Sequence, residues 1–120
     1  MIAGVGVDLE RTDRFQSLLE KRAFFERVYT DGEREYLRGK ATPWESAAGF
    51  YCAKEALGKA LGCGLTRSLF REAEIFHAPS GAPGFRFSGA LAQKLADSRV
   101  HLSITHGGEY AAAYVVWEEL

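Results

Sequence analysis

The chain has 120 residues, 47% of them hydrophobic and 26% charged, which is the composition of an ordinary globular domain. Its 15 basic and 16 acidic side chains leave a formal net charge of -1, whereas bulk binding of nucleic acid needs a clear basic excess. No apolar run approaches the roughly 18 residues of a membrane span, and a carboxylate at Asp8 closes the short apolar start. We therefore expect one cytoplasmic domain over residues 1–120, with neither nucleic acid nor a membrane as partner.

The two cysteines, Cys52 and Cys63, lie in or near one predicted helix. At about 1.5 Å per helical residue they are roughly 16 Å apart. A disulfide needs a Cα separation of only about 4.4 to 6.8 Å. We expect two free thiols, which fits a reducing cytoplasm.

Patterning in the first half of the chain predicts one strand and three helices. Thr30 and Glu33 have the spacing of a capping box, which predicts that a helix begins just after Thr30. Thr42 and Pro43 are suited to the N-cap and the first position of the longest helix. The predicted elements are a buried strand over 2–8 that ends at Asp8, and helices over 11–27, 31–38 and 43–62.

The second half changes to alternating and turn-rich patterns. A turn over 79–84 joins two strands as a hairpin, and a turn at 107–108 joins the last two strands as an antiparallel pair. The predicted elements are strands over 72–78, 85–87, 100–105 and 110–117, and a helix over 89–98. The order of elements predicts an α+β fold with helices packed on a small antiparallel sheet.

Helical spacing places Tyr51, Glu55, Gly58, Lys59 and Gly62 on one stripe of the longest helix. Each glycine inside a helix costs about 1 kcal/mol relative to alanine, so a neighbour should approach the backbone there. That neighbour is either a bulky ligand or another helix. The remaining alternative is an exposed face on which Glu55 and Lys59 form an ordinary salt bridge.

Asp8 ends the predicted buried strand, where an unpaired carboxylate is unfavourable and requires a cation. One alternative is a nearby arginine, Arg11 or Arg14. The other is that Asp8 and Glu55 together bind Mg²⁺, which is usually held by one or two carboxylates, waters and phosphate oxygens. Lys59, one turn beyond Glu55, would then neutralise a phosphate.

A polar segment near the end of the chain is suited to the rim of a nucleotide site. Strand alternation puts Ser103 and Thr105 on one face, with His106 at the exit of the strand. His77 and His101 are interpreted as ordinary strand residues.

The first predicted helix carries a basic surface that includes Arg14, Lys21 and Arg22 among acidic neighbours. It is either a solvated face of mixed charge or a docking surface for an acidic protein. In the second case the charge would mainly raise the association rate.

Three motifs, in this order, resemble the holo-[acyl-carrier-protein] synthases, the short trimeric class of 4′-phosphopantetheinyl transferases. They are GVGVD at residues 4–8 with a later Arg14, YCAKEALGKALGCG at residues 51–64, and SITH at residues 103–106. The resemblance covers essentially the whole chain. Phe50 and Ala82 depart from it, because many relatives carry a basic residue at both positions.

The resemblance implies a 4′-phosphopantetheinyl transferase-like fold and a reaction. The enzyme would pass the 4′-phosphopantetheine arm of coenzyme A to a serine of apo acyl carrier protein and release adenosine 3′,5′-bisphosphate, in support of fatty acid biosynthesis. It also implies a homotrimer whose active sites lie between subunits.

The resemblance further implies roles for particular residues. Asp8 and Glu55 would bind Mg²⁺, and Lys59 would contact the diphosphate of coenzyme A; these three form the predicted catalytic set. The chemistry also requires an acceptor for the serine proton, and we expect this to be Glu55 or a metal-bound water. Arg14, Lys21 and Arg22 would meet the carrier protein. The residues predicted to contact coenzyme A are Lys54, Lys59, Gly62, Gly64, Pro83, Ser103, Thr105 and His106.

Two other classes of function stay open at this point. A non-catalytic module could bind coenzyme A or a carrier protein through the same surface, and the residues at Phe50 and Ala82 favour it. A structural oligomer could use the glycine stripe for packing, and it would show no stabilisation by Mg²⁺.

Overall fold

The computed structural model describes residues 1–65 and 67–120, without the side chains at positions 67 and 68. The architecture is α+β, as predicted. In chain order the elements are β1 (Ile2–Arg11), α1 (Arg14–Leu18), α2 (Arg22–Val28), α3 (Asp31–Arg38), α4 (Pro43–Ala60), α5 (Arg67–Phe70), β2 (Ala73–His77), β3 (Pro83–Phe87), α6 (Gly89–Lys94), β4 (Ser98–Gly107) and β5 (Tyr110–Glu119). Among the residues described, no helix is both long and apolar enough to cross a bilayer.

Two antiparallel sheets carry the strands. The larger sheet has the order β1-β5-β4, so β5 is central, and the smaller sheet is the hairpin of β2 and β3. The predicted pairing of β4 with β5 and the predicted hairpin are both confirmed. The addition of β1 to the other edge of β5, with Asp8 opposite Ala113, was not predicted.

Helix α4 lies across the larger sheet at very short range. Its apolar side is made mostly of alanine, and Ala53 and Ala56 have no solvent exposure. A Cβ atom added to Gly6 would lie 1.9 Å from the carbonyl oxygen of Ala56, and one added to Gly4 would lie 1.9 Å from that of Ala60. The backbones of β1 and α4 are therefore in direct contact, and only glycine fits at these two strand positions.

Strand β1 differs from its prediction in length and in burial. It continues to Arg11, so Asp8 lies within the strand and not at its end. The side chains of Val5 and Val7 are 52% and 53% exposed, because only one face of the strand meets α4. The prediction of a buried strand that ends at Asp8 is therefore wrong.

The single helix predicted over 11–27 is also wrong, since α1 and α2 are separate. Lys21, the residue before α2, has an extended backbone with φ -86° and ψ 106°. At 100° per residue, Phe15 and Phe24 would point to opposite sides of one continuous helix. The break allows both rings to be buried, with their centroids 6.2 Å apart.

The signals for helix ends were mostly reliable. Thr30 and Glu33 form the predicted capping box, in which the Thr30 hydroxyl accepts from the Glu33 amide and the Glu33 carboxylate accepts from the Thr30 amide. Pro43 is the first residue of α4, although the side chain of Thr42 makes no capping hydrogen bond to the described residues. Gly62 follows the end of α4 with a φ of +77°, a conformation that favours glycine. Helix α6 is shorter than predicted.

Candidate active site

The close contact between β1 and α4 places the three predicted catalytic residues at one site. The Lys59 ammonium lies 3.3 Å from Oδ1 of Asp8 and donates a hydrogen bond of 2.9 Å to the carbonyl oxygen of Val7. Cys52, Glu55 and Lys59 share one face of the helix. Because Cys52 and Lys59 both lie near Asp8, Glu55 faces the same region from between them.

The cation beside Asp8 is therefore Lys59. Arg11 and Arg14, the alternatives considered from the sequence, pair with other carboxylates. Arg11 pairs with Asp13, and Arg14 pairs with Glu10. The alternative salt bridge within the helix is also not the arrangement seen among the described residues, since Lys59 reaches across to the strand. The 56% exposure of the Lys59 side chain leaves its ammonium accessible to a ligand.

Asp8 has the features expected of a metal ligand. Its side chain is only 12% exposed, and its Oδ2 atom is buried with no hydrogen-bond partner among the described residues. A buried carboxylate oxygen without a partner is unfavourable, so a cation at this position would be stabilised. Within residues 1–65 and 67–120, no group of three or more His, Cys, Asp or Glu side chains is arranged to hold a metal by itself. The donor set fits Mg²⁺, which is commonly bound by one or two carboxylates together with water and phosphate oxygens.

Glu10 is a further acidic residue of this site that the sequence analysis missed. It lies two residues after Asp8 on the same face of β1. Burial and the neighbouring charge of Asp8 raise the pKa of Glu10, and the Arg14 guanidinium opposes this shift. Strand alternation would have placed Glu10 on the same face as Asp8 if the predicted strand had continued beyond Asp8.

Tyr51 was placed on the same stripe as Glu55, and its hydroxyl lies close enough to that carboxylate to feel its charge. Burial, followed by the charge of Glu55, raises the pKa of Tyr51 to about 12. The guanidinium of Arg14 lies 6.0 Å from the centre of the Tyr51 ring. Tyr51 is therefore a neutral donor at neutral pH that can orient Glu55.

The predicted contact between Lys54 and coenzyme A is inconsistent with the structure. The Lys54 side chain has no solvent exposure. Its ammonium donates to the carbonyl oxygen of Val28 at 2.6 Å, to Oε1 of Glu33 at 2.7 Å and to the carbonyl oxygen of Phe70 at 2.8 Å. All three protons are used inside the protein, so we correct its assignment to a structural one.

Gly58, Gly62 and Gly64 have different environments. Gly58 is buried, and a Cβ atom there would lie 2.9 Å from the amide nitrogen of Leu65. The neighbour that approaches Gly58 is thus the chain's own next segment, neither a ligand nor a helix. Gly62 and Gly64 are exposed, with no atom within 4 Å of an added Cβ, and their contact with coenzyme A stays a prediction.

A small cavity lies where the β2–β3 hairpin meets α3, α4 and β4. It has a volume of about 120 Å³, and its lining includes Tyr36, Phe50, His77, Pro83 and His106. The imidazole Nε2 of His106 lies 2.9 Å from a backbone carbonyl oxygen, that of Glu45. A carbonyl only accepts hydrogen bonds, so Nε2 carries a proton. In the neutral ring Nδ1 is therefore unprotonated and can accept a hydrogen bond.

Two residues of the predicted nucleotide site, Pro83 and His106, thus share one cavity. A Cβ atom at Gly49 would lie 3.0 Å from Nε2 of His106, so the glycine lets this ring pack against α4. His77 is a strand residue, as predicted, but it also lines this cavity. Sequence reasoning missed the roles of Tyr36 and His77, because they lie on elements far apart in the chain.

The other predicted nucleotide contacts lie on a different surface. Ser103 pairs with Tyr114 and Thr105 with Ala112, so both face away from α4. We call this surface of the larger sheet the outer face. It carries exposed apolar side chains, and those of β1 and β5 include Val5, Val7, Leu9 and Tyr114.

The three predicted partner-binding residues belong to two short helices and not to one. Arg14 opens α1, Lys21 precedes α2 and Arg22 begins it. All three are exposed, and Arg22 forms an ion pair with Glu26.

Comparison with known proteins agrees with this geometry. The family described as the 4′-phosphopantetheinyl transferase superfamily matches residues 4–115. A holo-[acyl-carrier-protein] synthase of Caldanaerobacter subterraneus is 38% identical over 116 residues, covering 93% of this chain and 91% of the relative. That of Methylobacterium radiotolerans is 39% identical over 130 residues, covering 100% of this chain and 96% of the relative.

Solved structures are similar over the same length. The holo-(acyl-carrier-protein) synthase of Bacillus anthracis, crystallised in complex with CoA (3′,5′-ADP), has a TM-score of 0.85 and 34% identity, covering 100% of this chain and 99% of that one. The holo-[acyl-carrier-protein] synthase of Neisseria meningitidis has a TM-score of 0.88 and 32% identity, covering 99% and 100%. The chain therefore belongs to the 4′-phosphopantetheinyl transferase superfamily and, within it, to the holo-[acyl-carrier-protein] synthases.

Proposed function

We propose that this chain transfers the 4′-phosphopantetheine arm of coenzyme A to a serine hydroxyl of apo acyl carrier protein, in support of fatty acid biosynthesis. The main support for this proposal is the arrangement of charged side chains around Asp8. The partly buried Asp8, one oxygen of which has no partner in the part of the chain that the structure describes, faces the turn of α4 that bears Glu55 and Lys59. Two carboxylates and one accessible ammonium suit a diphosphate together with a divalent cation.

In this reaction the serine oxygen attacks the phosphorus that bears the pantetheine arm. The new bond joins the serine oxygen to phosphorus, and the bond to the bridging oxygen breaks. Adenosine 3′,5′-bisphosphate leaves with that electron pair. Asp8 and Glu55 would hold Mg²⁺, which supplies charge neutralisation on the diphosphate.

The chain's own residues would perform the remaining work. The accessible Lys59 would exchange its contact with Asp8 for one with the diphosphate. Glu55 would accept the serine proton, with Tyr51 orienting its carboxylate. Pro83 and His106 would border the nucleotide, and Gly62, Gly64, Ser103 and Thr105 would complete its surroundings.

Carrier protein and assembly complete the proposal. Arg14, Lys21 and Arg22 would attract the acidic carrier protein and raise its association rate. The outer face would pack against further copies in a homotrimer, because exposed apolar side chains of a sheet favour association. Ser103 and Thr105 lie on that face, so an assembly would bring them to a subunit boundary. The free thiols support a cytoplasmic location.

The direct test is incubation with coenzyme A, Mg²⁺ and apo acyl carrier protein, followed by intact-mass measurement. We expect the carrier protein to gain the mass of the phosphopantetheine arm, and no gain when its acceptor serine is replaced by alanine. Binding of coenzyme A without transfer to any of several carrier proteins would favour the binding module. A lack of both binding and stabilisation by Mg²⁺ would favour the structural oligomer. Analytical ultracentrifugation tests the trimer separately.

A further inference from the structure

The cavity beside His106 contains an aromatic cluster that the proposed reaction does not yet use. The rings of His77 and Tyr36 are stacked, with centroids 4.9 Å apart and an interplanar angle of 16°. Phe50 packs against both, with centroids at 5.9 Å from His77 and 5.5 Å from Tyr36. Three elements, α3, α4 and β2, each supply one ring.

His77 is the member of this cluster that a ligand can reach. Phe50 is 3% exposed and lies at the inner end of the cluster, whereas His77 is exposed at the end of β2. There it is paired with Pro83, the first residue of β3. Tyr36 stacks on one side of the imidazole, and the His77 side chain lines the cavity.

The chemistry of the lining indicates the kind of group that fits. None of the described lining residues of the cavity is a lysine or an arginine. Burial and the nearby charge of Lys40 lower the pKa of His77, so its ring is neutral at neutral pH. A neutral imidazole can stack on an uncharged aromatic ring without the loss of a hydrated charge. At about 120 Å³ the cavity is smaller than the usual site for a whole cofactor and suits one flat ring system.

We propose that His77 is a specificity-determining residue of this chain, whose imidazole, backed by Tyr36, stacks against the purine base of coenzyme A. This inference rests on the proposed function for the identity of the nucleotide. The cavity would thus recognise the purine base by stacking on His77 and not by an ion pair. Stacking contributes to binding in the ground state and in the transition state alike, so it should affect KM and not kcat.

The test compares His77→Ala with His77→Phe, which keeps an aromatic ring. Gln93→Ala is the control, since Gln93 is an exposed residue of α6 that does not line the cavity. We expect His77→Ala to raise KM for coenzyme A by about tenfold with kcat within about twofold of wild type. It should weaken calorimetric binding of adenosine 3′,5′-bisphosphate by the same factor. His77→Phe should stay within about threefold of wild type in both measurements, and KM for the carrier protein should not change.

Several outcomes would overturn the inference. An unchanged KM and an unchanged nucleotide affinity in His77→Ala would do so, as would a His77→Phe variant as weak as His77→Ala. Thermal melts of both variants identify a loss that comes from unfolding, and His77→Phe then decides the question. If wild type binds adenosine 3′,5′-bisphosphate but transfers nothing, the proposed function fails while calorimetry still decides the role of His77. A wild-type chain that binds no nucleotide would overturn both.

Discussion

Lys54 and Glu33 form an ion pair of 2.7 Å in which neither side chain has any solvent exposure. The Glu33 carboxylate also accepts hydrogen bonds from the amides of Thr30, at 2.9 Å, and Ile75, at 2.7 Å. Burial lowers the pKa of Lys54, and the charge of Glu33 opposes that shift. The pair thus connects α4 with α3 and β2. This arrangement explains a charged residue at the centre of an apolar helix that does not contact the proposed substrate.

Replacement of Lys54 by methionine should destabilise the fold strongly. The variant Lys54→Met leaves the Glu33 carboxylate buried without its cation, which typically costs about 3–5 kcal/mol in the free energy of unfolding. Urea denaturation monitored by circular dichroism measures this loss. Lys94→Met is the control, because Lys94 is an exposed lysine in the last turn of α6 and should change stability by less than about 1 kcal/mol.

The double variant Lys54→Met/Glu33→Gln tests whether the unpaired charge of Glu33 causes this loss. The two amides donate to different oxygens of Glu33, so glutamine keeps an acceptor for only one of them and removes the unpaired charge. We expect the double variant to be more stable than Lys54→Met alone, since the two changes are coupled. Equal stability of the two proteins would contradict the assignment of a buried ion pair.

Magnesium should stabilise the wild-type chain through Asp8 and Glu55. A ligand that binds only the folded state adds about 2.7 kcal/mol at a concentration of 100 times its Kd. We expect a rise in Tm on titration with Mg²⁺ that is lost in Asp8→Asn and in Glu55→Gln. Glu35→Gln is the control, since Glu35 is an exposed carboxylate of α3. A full magnesium shift in either site variant would remove that residue from the metal site.

Gly6→Ala should disturb the contact on which the site depends. The added methyl group would lie 1.9 Å from the carbonyl oxygen of Ala56, so α4 and β1 must separate. Overpacking of this kind usually costs about 1–3 kcal/mol. We expect a lower unfolding midpoint in urea and a weaker magnesium shift. Gly107→Ala is the control, because nothing lies within 4 Å of an added Cβ there, and an equal loss in both variants would contradict this explanation.

The two thiols should differ sharply in reactivity. Burial, followed by the charges of Asp8 and Glu10, raises the pKa of Cys52 to about 12. Since the thiolate is the reactive form, Cys52 should be inert in the folded protein at pH 8. Cys63 is exposed. Titration with a chromogenic disulfide should therefore detect one fast thiol per chain, and a second only after denaturation; rapid reaction of Cys52 would show that the buried site opens.

Reversal of charge at Arg22 should weaken engagement of the acidic carrier protein. The Arg22 side chain is 90% exposed, so Arg22→Glu should leave the fold intact. We expect a several-fold higher KM for the carrier protein, a smaller dependence on salt concentration and an unchanged KM for coenzyme A. Lys94→Glu, at an exposed position of α6, is the control. The same change in KM for both variants would indicate a nonspecific effect of net charge.

Local signals in the sequence determined a large part of the fold. The capping box at Thr30, the start of α4 at Pro43 and its stop near Gly62 depend on residues only a few positions apart. The hairpin of β2 with β3 and the pairing of β4 with β5 depend on short turns. The family motifs likewise gave the residues Asp8 and Glu55 directly, because each motif is contiguous in the chain.

The tertiary structure alone decided the partners of those residues. Lys59 pairs with Asp8, 51 positions away, and Lys54 is buried with Glu33, 21 positions away. Helical spacing places residues on a face, but it does not say which element will cover that face. The aromatic cluster at His77 was likewise not predictable from local pattern, since its rings come from three elements. Contacts between distant segments depend on how the whole chain packs, and local pattern carries no information about that packing.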